Sequence, residues 1–532
     1  VLCWGRGTQG QIGNYGTFSP GRPDSTNPVS WELGQGELGS PADTESLASG
    51  PHDVAQASIG AYGRFGCARS NIGHVKCWGY NNRGQLGQGN TSTASDGPNE
   101  MGSNLAFVAL GANRTAIEVS VGIEHACAIL DDGTVKCWGN NQYGATGQGV
   151  SSGYIGDSEG EMGDNLAAID LGSGRTAIKI SSGSYHNCAI LDDASVKCWG
   201  NNGNGRLGIG NSTSIGNDDN QMGDSMSSVD LGTGRTAIGI SSGHAHTCAI
   251  LDSGVLKCWG SNGNGQLGQG HTYPIGDGYS GADEIQCHPT QNEPSDRECL
   301  ARMGDDLPAI DLGEGRTAVS VSAGQSHTCA ILDNGSVRCW GYNYLGMTGL
   351  GITSGNTGDG SGEMGDNLPT VDLGEGVSAV SISSGSTHTC ALLHNLQAAC
   401  WGGNGAGQMG IGSSNHVDTS EEMGSGLQYA DLPTTTTQSV LAGRDFTCAI
   451  GDGGALRCWG ENDDGRLGVY RTDDENIGVS SDQMGSNLPI TNLFLAPSDY
   501  DGDGWIDIWD SDDDNDGYLD TNDDLPFDER DW

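Results

Sequence analysis

Residues 161–210 read EMGDNLAAIDLGSGRTAIKISSGSYHNCAILDDASVKCWGNNGNGRLGIG. Four short apolar stretches, LAAIDL, AIKIS, NCAIL and SVKCWG, stand apart between Gly, Ser, Asp and Asn, which is the pattern of short strands joined by turns. The unit recurs along the chain. Its second Cys is followed by Trp-Gly at Trp78, Trp138, Trp199, Trp259, Trp340, Trp401 and Trp459, and an eighth copy, Cys3-Trp4-Gly5, opens the sequence. Successive copies are 74, 60, 61, 60, 81, 61 and 58 residues apart. An independent marker, Met-Gly, keeps the same period at Met101, Met162, Met222, Met303, Met364, Met423 and Met484. Four strands per repeat is the signature of a propeller blade. The expected fold is therefore an all-β, seven-bladed propeller over residues 1–495, with eight blades as the alternative if the two chain ends share one.

The cysteines test that reading. Seven pairs have nine residues between them: Cys67/Cys77, Cys127/Cys137, Cys188/Cys198, Cys248/Cys258, Cys329/Cys339, Cys390/Cys400 and Cys448/Cys458. In CAILDDGTVKC the strands fold back across Asp131-Asp132-Gly133, a three-residue hairpin loop with Gly at the left-handed position. Cys127 then faces Cys137 and Ile129 faces Val135. Opposed Cβ atoms lie about 4.5–5.5 Å apart, close to disulfide reach. Gly73, Gly133, Gly254, Gly335 and Gly454 hold the turn position, with Ala194 and Leu396 as exceptions. Zinc sites space their Cys pairs more tightly, and persistent disulfides belong to oxidising compartments. The pairs therefore predict a secreted scaffold with structural staples.

The segments WGYNNRGQLGQG, WGSNGNGQLGQG and WGNNGNGRLGIG, with SSGHAHTCAIL upstream, closely resemble the repeat of the regulator of chromosome condensation family. The resemblance spans residues 1 to about 495. It implies a propeller, usually of seven blades, in which each repeat straddles two blades. It also implies that His125, His186, His246, His327 and His388, replaced by Phe65 and Phe446 in the other two units, are packed, hydrogen-bonded structural residues rather than a metal ring. The family includes nuclear guanine-nucleotide exchange factors, and a similar propeller is a secreted β-lactamase inhibitor, so fold alone does not decide function.

Composition narrows the choice. The 532 residues carry 91 Gly, 68 acidic and 23 basic side chains, for a net charge of −45. So much Gly excludes a helical bundle. So few cations exclude nucleic-acid binding as the main activity. No apolar run of about 20 residues is present, so no membrane span is expected. No G-x-S-x-G, H-E-x-x-H or phosphate-loop motif occurs, and no enzyme is predicted.

After Pro497 the composition shifts to SDYDGDGWIDIWDSDDDNDGYLDTNDDLPFDERDW. Asp499, Asp501, Asp503, Asp507 and Asp510 recur thirteen residues later as Asp512, Asp514, Asp516, Asp520 and Asp523. Gly504 and Gly517 fill the sharp-turn position, and Trp505 and Tyr518 the position that offers a backbone carbonyl. These are the ligand positions of a twelve-residue calcium loop. With only Ser511 between the loops, the pattern resembles thrombospondin type 3 repeats more than paired EF-hands. Calcium is thus the expected cofactor of residues 496–532.

Long polar loops between the G-Q-L-G segment and Met-Gly should crowd one face of the disc. The largest contains Cys287 and Cys299, an expected eighth bridge, and is a candidate recognition element. Met-Gly reads as blade packing. Asn90, Asn113, Asn211 and Asn334 occupy glycosylation sequons. Cys3 has no mate in the chain. Its partner is expected upstream of Val1, or on another subunit if the VLCWG strand mediates self-assembly. The expected function is extracellular binding, in adhesion or surface and filament assembly, with protein or glycan partners. A secreted inhibitor or ligand working through one loop face is the alternative; nucleotide exchange is disfavoured.

Overall fold

The computed structural model describes residues 53–150, 153–277, 303–353, 355–434, 436–470 and 476–494. Seven separate antiparallel sheets follow one another along them, with no α-helix among the described residues. Blade 1 has strands Val54–Ile59, Phe65–Ser70 and Val75–Gly79. Blade 2 has Ala116–Val121, His125–Leu130 and Val135–Asn140. Blade 3 has Ala177–Ser182, His186–Leu191 and Val196–Gly200. Blade 4 has Ala237–Ser242, His246–Leu251 and Leu256–Gly260. Blade 5 has Ala318–Ala323, His327–Leu332 and Val337–Gly341. Blade 6 has Ala379–Ser384, His388–Leu393 and Ala398–Gly402. Blade 7 has Thr437–Ala442, Phe446–Gly451 and Leu456–Gly460.

The hairpin between the second and third strands forms in the register that its cysteines require. Cys127 faces Cys137 and Ile129 faces Val135, and Gly133 turns the chain at φ 76°. Each blade holds one bridge between these strands. Cys67 is joined to Cys77, Cys127 to Cys137, Cys188 to Cys198 and Cys248 to Cys258. Cys329 is joined to Cys339, Cys390 to Cys400 and Cys448 to Cys458. The paired Cα atoms are 4.0–4.1 Å apart, inside the roughly 4.5–5.5 Å usual for opposed residues of a ladder. Ala194 and Leu396, which replace the turn Gly, adopt the same left-handed conformation at φ 63° and 64°. That conformation costs a Cβ-bearing residue roughly 1–2 kcal/mol.

The fourth apolar stretch follows the family resemblance, in which each repeat straddles two blades. LAAIDL lies beside the third strand of the blade that precedes it in the chain: Ile169 N–H donates to the Val135 carbonyl at 2.8 Å. The equivalent bond recurs from Val108 to Val75, Val229 to Val196, Ile310 to Leu256, Val371 to Val337, Ala430 to Ala398 and Thr491 to Leu456. A repeat cut at Met-Gly thus straddles two blades. The segment LPITNLF covers the outer edge of blade 7. At the other end of each third strand a second short contact forms, as between Gly139 and Ile155 or Gly200 and Ile215. Two short segments in place of one long strand cover the outer edge of each sheet, which blunts its capacity to pair with another chain.

The ring closes at seven. The Trp of each of the seven described blades is fully buried and donates its indole N–H to a loop carbonyl of the preceding blade, at 2.9–3.2 Å. Trp138 takes Gln85 and Trp459 takes Gln408, while Trp78 of blade 1 takes Arg466 of blade 7. The G-x-L-G glycine explains itself here. A Cβ on Gly87, at φ 66°, would stand 2.9 Å from the Trp138 indole nitrogen. Arg64–Asp464 at 3.2 Å and Gly102 N–H to the Asn492 carbonyl at 2.9 Å complete the closing seam. Among the described residues, blades 1 and 7 meet and the ring of seven is closed. Cys3, the Cys287/Cys299 pair and the tail lie outside the described residues.

Candidate functional site

The strand order gives the ring two unlike ends. At one lie the connections from first to second strand and the long excursions that follow the third strand. At the other lie the hairpin turns, such as Asp131–Gly133, and the approaches to the first strands, which read Gly-x-Gly-Arg-Thr in blades 3, 4 and 5.

The bridged cysteines belong to neither end. Cys67, Cys127, Cys188, Cys248, Cys329, Cys390 and Cys448 sit mid-way along the second strands. Cys77, Cys137, Cys198, Cys258, Cys339, Cys400 and Cys458 sit at the centre of the third strands. All fourteen are buried. They hold the blades and touch no candidate contact surface.

The first strands of successive blades neighbour one another around the whole ring, so they surround its axis. Six carry a Ser whose hydroxyl accepts from the next blade's backbone: Ser58 from Val121, Ser120 from Ser182, Ser181 from Ser242, Ser241 from Ala323, Ser322 from Ser384 and Ser383 from Ala442. Distances are 2.8–3.0 Å. Blade 7 has Leu441 at this position.

Behind the axis, the histidine column forms a second set of inter-blade bonds. His186 Nε2 meets Thr247 Oγ1, His246 meets Thr328, His327 meets Thr389 and His388 meets Thr447, all at 2.9–3.0 Å; His125 meets Asn187 Oδ1 at 2.9 Å. Each Thr hydroxyl donates onward to the loop carbonyl that also receives the Trp indole, as Thr389 does to Met347 at 2.9 Å. The hydroxyl proton is thereby committed, so Nε2 carries the imidazole proton and donates. The Phe exceptions obey the same logic. Phe65 and Phe446 face the positions held by Ala126 and Gly66, where no side-chain acceptor stands. Burial pushes the imidazoles down, to about 4 for His125 and His327 and about 3 for His246 and His388, and holds His186 well below its ordinary value. These neutral, enclosed rings are not metal ligands; each is committed to the blade interface.

A third column escaped the sequence reading. Lys136 Nζ donates to the Leu110 and Gly163 carbonyls at 2.9 and 2.8 Å. Lys197 does the same with Leu171 and Gly223, Lys257 with Leu231 and Gly304, and Arg338 with Leu312 and Gly365. Gly163 belongs to Met-Gly, so that marker shapes carbonyls for a buried cation besides packing Met. Burial lowers the Lys76 ammonium to about 8. The signal was present in the recurring V-K-C-W-G, although alternation alone would send the Lys to solvent.

The loop end gathers aromatic and basic side chains around the axis. Arg444 lies over Tyr62 at 5.2 Å, and Tyr62 lies 5.6 Å from His244. Tyr143 meets Tyr185 edge-on at 6.1 Å, and Arg83 both covers Tyr154 at 4.7 Å and hydrogen-bonds its hydroxyl. Ser184 Oγ sits 2.6 Å from His244 Nδ1. Ser184 is 4% exposed, and no carboxylate stands among the described hydrogen-bond partners of His244. The surface suits macromolecular contact, for which Tyr and Arg are favoured residues. Among the described residues no group of three or more His, Cys, Asp or Glu could hold a metal. The expected calcium ligands, Asp499 to Asp523, lie outside them. No helix among the described residues is long and apolar enough to cross a membrane.

Fold and repeat together define a disulfide-stapled, seven-bladed propeller built from repeats of one known kind. Residues 57–85, 116–145, 177–206, 237–266, 318–346 and 438–466 match the Regulator of chromosome condensation (RCC1) repeat. The chain is similar to the Ultraviolet-B receptor UVR8 of Arabidopsis thaliana, 26% identical over 416 residues, covering 78% of this chain and 75% of that protein. Protein pim1 of Schizosaccharomyces pombe is 24% identical over 384 residues, 68% of this chain and 62% of that protein. The human E3 ubiquitin-protein ligase HERC2 is 24% identical over 301 residues, but the match spans 5% of its length. In shape the chain resembles the crystal structure of Kap60 bound to yeast RCC1 (Prp20), with a TM-score of 0.54 at 15% identity, covering 84% of this chain and 90% of that one. Human WBSCR16 gives a TM-score of 0.51 at 17% identity, covering 76% and 92%. At such identities the likeness shows the fold alone.

Proposed function

We propose that this protein is an extracellular binding scaffold, acting in adhesion or surface assembly, whose propeller ends contact protein or glycan while calcium orders the tail. The observation that carries the reading is one buried disulfide in every blade. Closing so short a loop contributes roughly 2–3 kcal/mol per bridge, a contribution that a reducing compartment would remove. The acidic surface is suited to cations and basic partners. In the tail, Asp499, Asp501, Asp503, Asp507 and Asp510 would hold one calcium and Asp512, Asp514, Asp516, Asp520 and Asp523 a second, with the Trp505 and Tyr518 carbonyls completing each loop. The aromatic loop end also favours a second reading, a secreted inhibitor or ligand that grips one protein there.

The test is a thiol count on the unfolded, unreduced protein recovered from its native location. All fourteen blade cysteines should be unreactive. If most alkylate, the extracellular assignment falls.

A further inference from the structure

Each first strand carries the same irregularity. Its pairing register with the second strand slips by one residue, at 55, 117, 178, 238, 319, 380 and 438 in the seven blades. A bulged residue drops out of the ladder, and its side chain is re-aimed. Five of the seven are β-branched aliphatics left open to solvent: Ile117, Ile178, Ile238, Val319 and Val380 are 47–61% exposed. Ala55 and Gln438 show that the position does not require such a residue. Strand propensity does not explain the choice, since the bulged residue is outside the pairing. Single exposed aliphatics are ordinary. Five at equivalent positions on strands that encircle the axis make a patch, and patches mark contact sites.

The surroundings are acidic. In blades 2 to 7 the residue before the bulge hydrogen-bonds to the hairpin turn of the preceding blade, as Ala177 does to Gly133 at 2.9 Å and Ala237 to Ala194 at 3.1 Å. The turns therefore stand directly beside the ring and bring Asp131, Asp132, Asp192, Asp193, Asp252 and Asp333 with them. Arg114, Arg175, Arg235 and Arg316 answer these six carboxylates with four charges, at 3.0–3.5 Å. The excess is negative, on a chain of net charge −45.

We infer that the turn end of the axis is a docking site for a basic peptide segment that inserts an aliphatic side chain into the ring of bulged Ile and Val residues. Lys and Arg flanking that side chain meet the turn carboxylates, and the apolar ring supplies discrimination that charge alone lacks. The inference rests on the reading of the chain as a binding scaffold and assigns one end of it a partner chemistry. The chain's own tail is the wrong occupant, because its carboxylates would face those of the turns.

The probe is a labelled twelve-residue Lys/Arg peptide with one central Leu, followed by fluorescence anisotropy on the full chain. Its counterparts carry Ser for Leu, or Glu for the basic residues. The Leu peptide should bind at least tenfold more tightly than the Ser peptide, and the Glu peptide should not bind. The double variant Ile178→Thr/Val319→Thr, which keeps β-branching at solvent-exposed sites, should lose about tenfold. Asp132→Asn/Asp193→Asn should weaken binding at 0.1 M NaCl more than at 0.5 M. Tyr62→Ala/Tyr185→Ala, at the opposite end, should change nothing. Equal binding of the Leu and Ser peptides, no binding of either, or a folded Thr double variant that binds as the parent would each overturn the proposal. So would binding that appears only after residues 497–532 are removed, which would make the tail the occupant. None of these outcomes touches the thiol count, so the extracellular reading stands or falls separately.

Discussion

The contact between His327 and Thr389 can be exchanged for the pair that the chain itself uses elsewhere. His327→Phe combined with Thr389→Ala recreates, between blades 5 and 6, the Phe65/Ala126 arrangement. Alone, His327→Phe removes the 2.9 Å bond to Thr389 Oγ1 but leaves that hydroxyl donating to Met347, so the loss is that of one net hydrogen bond, about 1 kcal/mol. Thr389→Ala alone strands the buried His327 Nε2–H, which costs about 1–3 kcal/mol. The double variant should be more stable than the sum of the two losses implies, with a coupling of about 1 kcal/mol. Acid gives the sharper test. Burial holds His327 neutral with a pKa of about 4 against an ordinary 6.5, and its Nδ1 has no acceptor to receive a proton. The unfolded chain thus binds the proton first. The stabilisation is fully present above pH 6.5 and is lost as pH falls from there toward 4. At pH 5 the loss is about 2 kcal/mol relative to pH 8. Urea unfolding at both pH values measures it: the double variant should fall by about 2 kcal/mol less than the parent between pH 8 and pH 5. Parallel losses in parent and double variant would refute the assignment of the acid penalty to this histidine.

Other perturbations test separate parts of the scaffold. Ala194→Gly relieves the left-handed turn residue of blade 3 and should stabilise by about 1 kcal/mol in urea unfolding; an unchanged or lower midpoint would mean that the turn is not strained. Replacing Cys127 and Cys137 by Ala should cost about 2–3 kcal/mol and should lower the thermal midpoint without changing the far-ultraviolet spectrum. Lys197→Met removes the ammonium that satisfies the Leu171 and Gly223 carbonyls and should cost about 1–3 kcal/mol, whereas substitution at Ala399, where blade 6 lacks the cation, should cost less. Calorimetry should find about two calcium ions per chain, and deletion of residues 497–532 should abolish them while the propeller keeps its melting temperature.

The hairpin register was legible because a fixed Cys spacing and a left-handed turn residue leave one pairing that satisfies both. The blade boundary was not. A periodic sequence states its period and not its phase, so periodicity alone could count LAAIDL as a strand, and only the family resemblance implied that each repeat straddles two blades. The bond from Thr491 to Leu456 gives LPITNLF its place on the outer edge of blade 7. The His/Phe alternation was visible, but its reason lies in the residue one place further on in the neighbouring blade, Thr389 for His327 and Ala126 for Phe65. The bulge was hidden altogether, since A-I-K-I-S alternates like any regular strand. The Lys column was hidden for the opposite reason: V-K-C-W-G places Lys where a sheet face would be wet, yet the outer segment of the preceding blade covers it.

Because each blade is drawn from one continuous stretch of chain, no strand among the described residues is shared across the closing seam. The ring is a belt fastened by side-chain and loop contacts rather than by an interlaced strand. Six joints carry both a covalent link and a Ser-to-backbone bond. At the seventh, Leu441 stands in the Ser position, and Trp78, Arg64 and Gly102 hold without either. Mechanical or thermal opening should therefore begin between blades 7 and 1, and hydrogen exchange should find the Val54–Ile59 amides less protected than those of Ala237–Ser242. The arrangement also allows the belt to be cut elsewhere. Joining the ends of residues 53–494 and opening the chain in a long excursion after any third strand would move the weak joint without altering a blade.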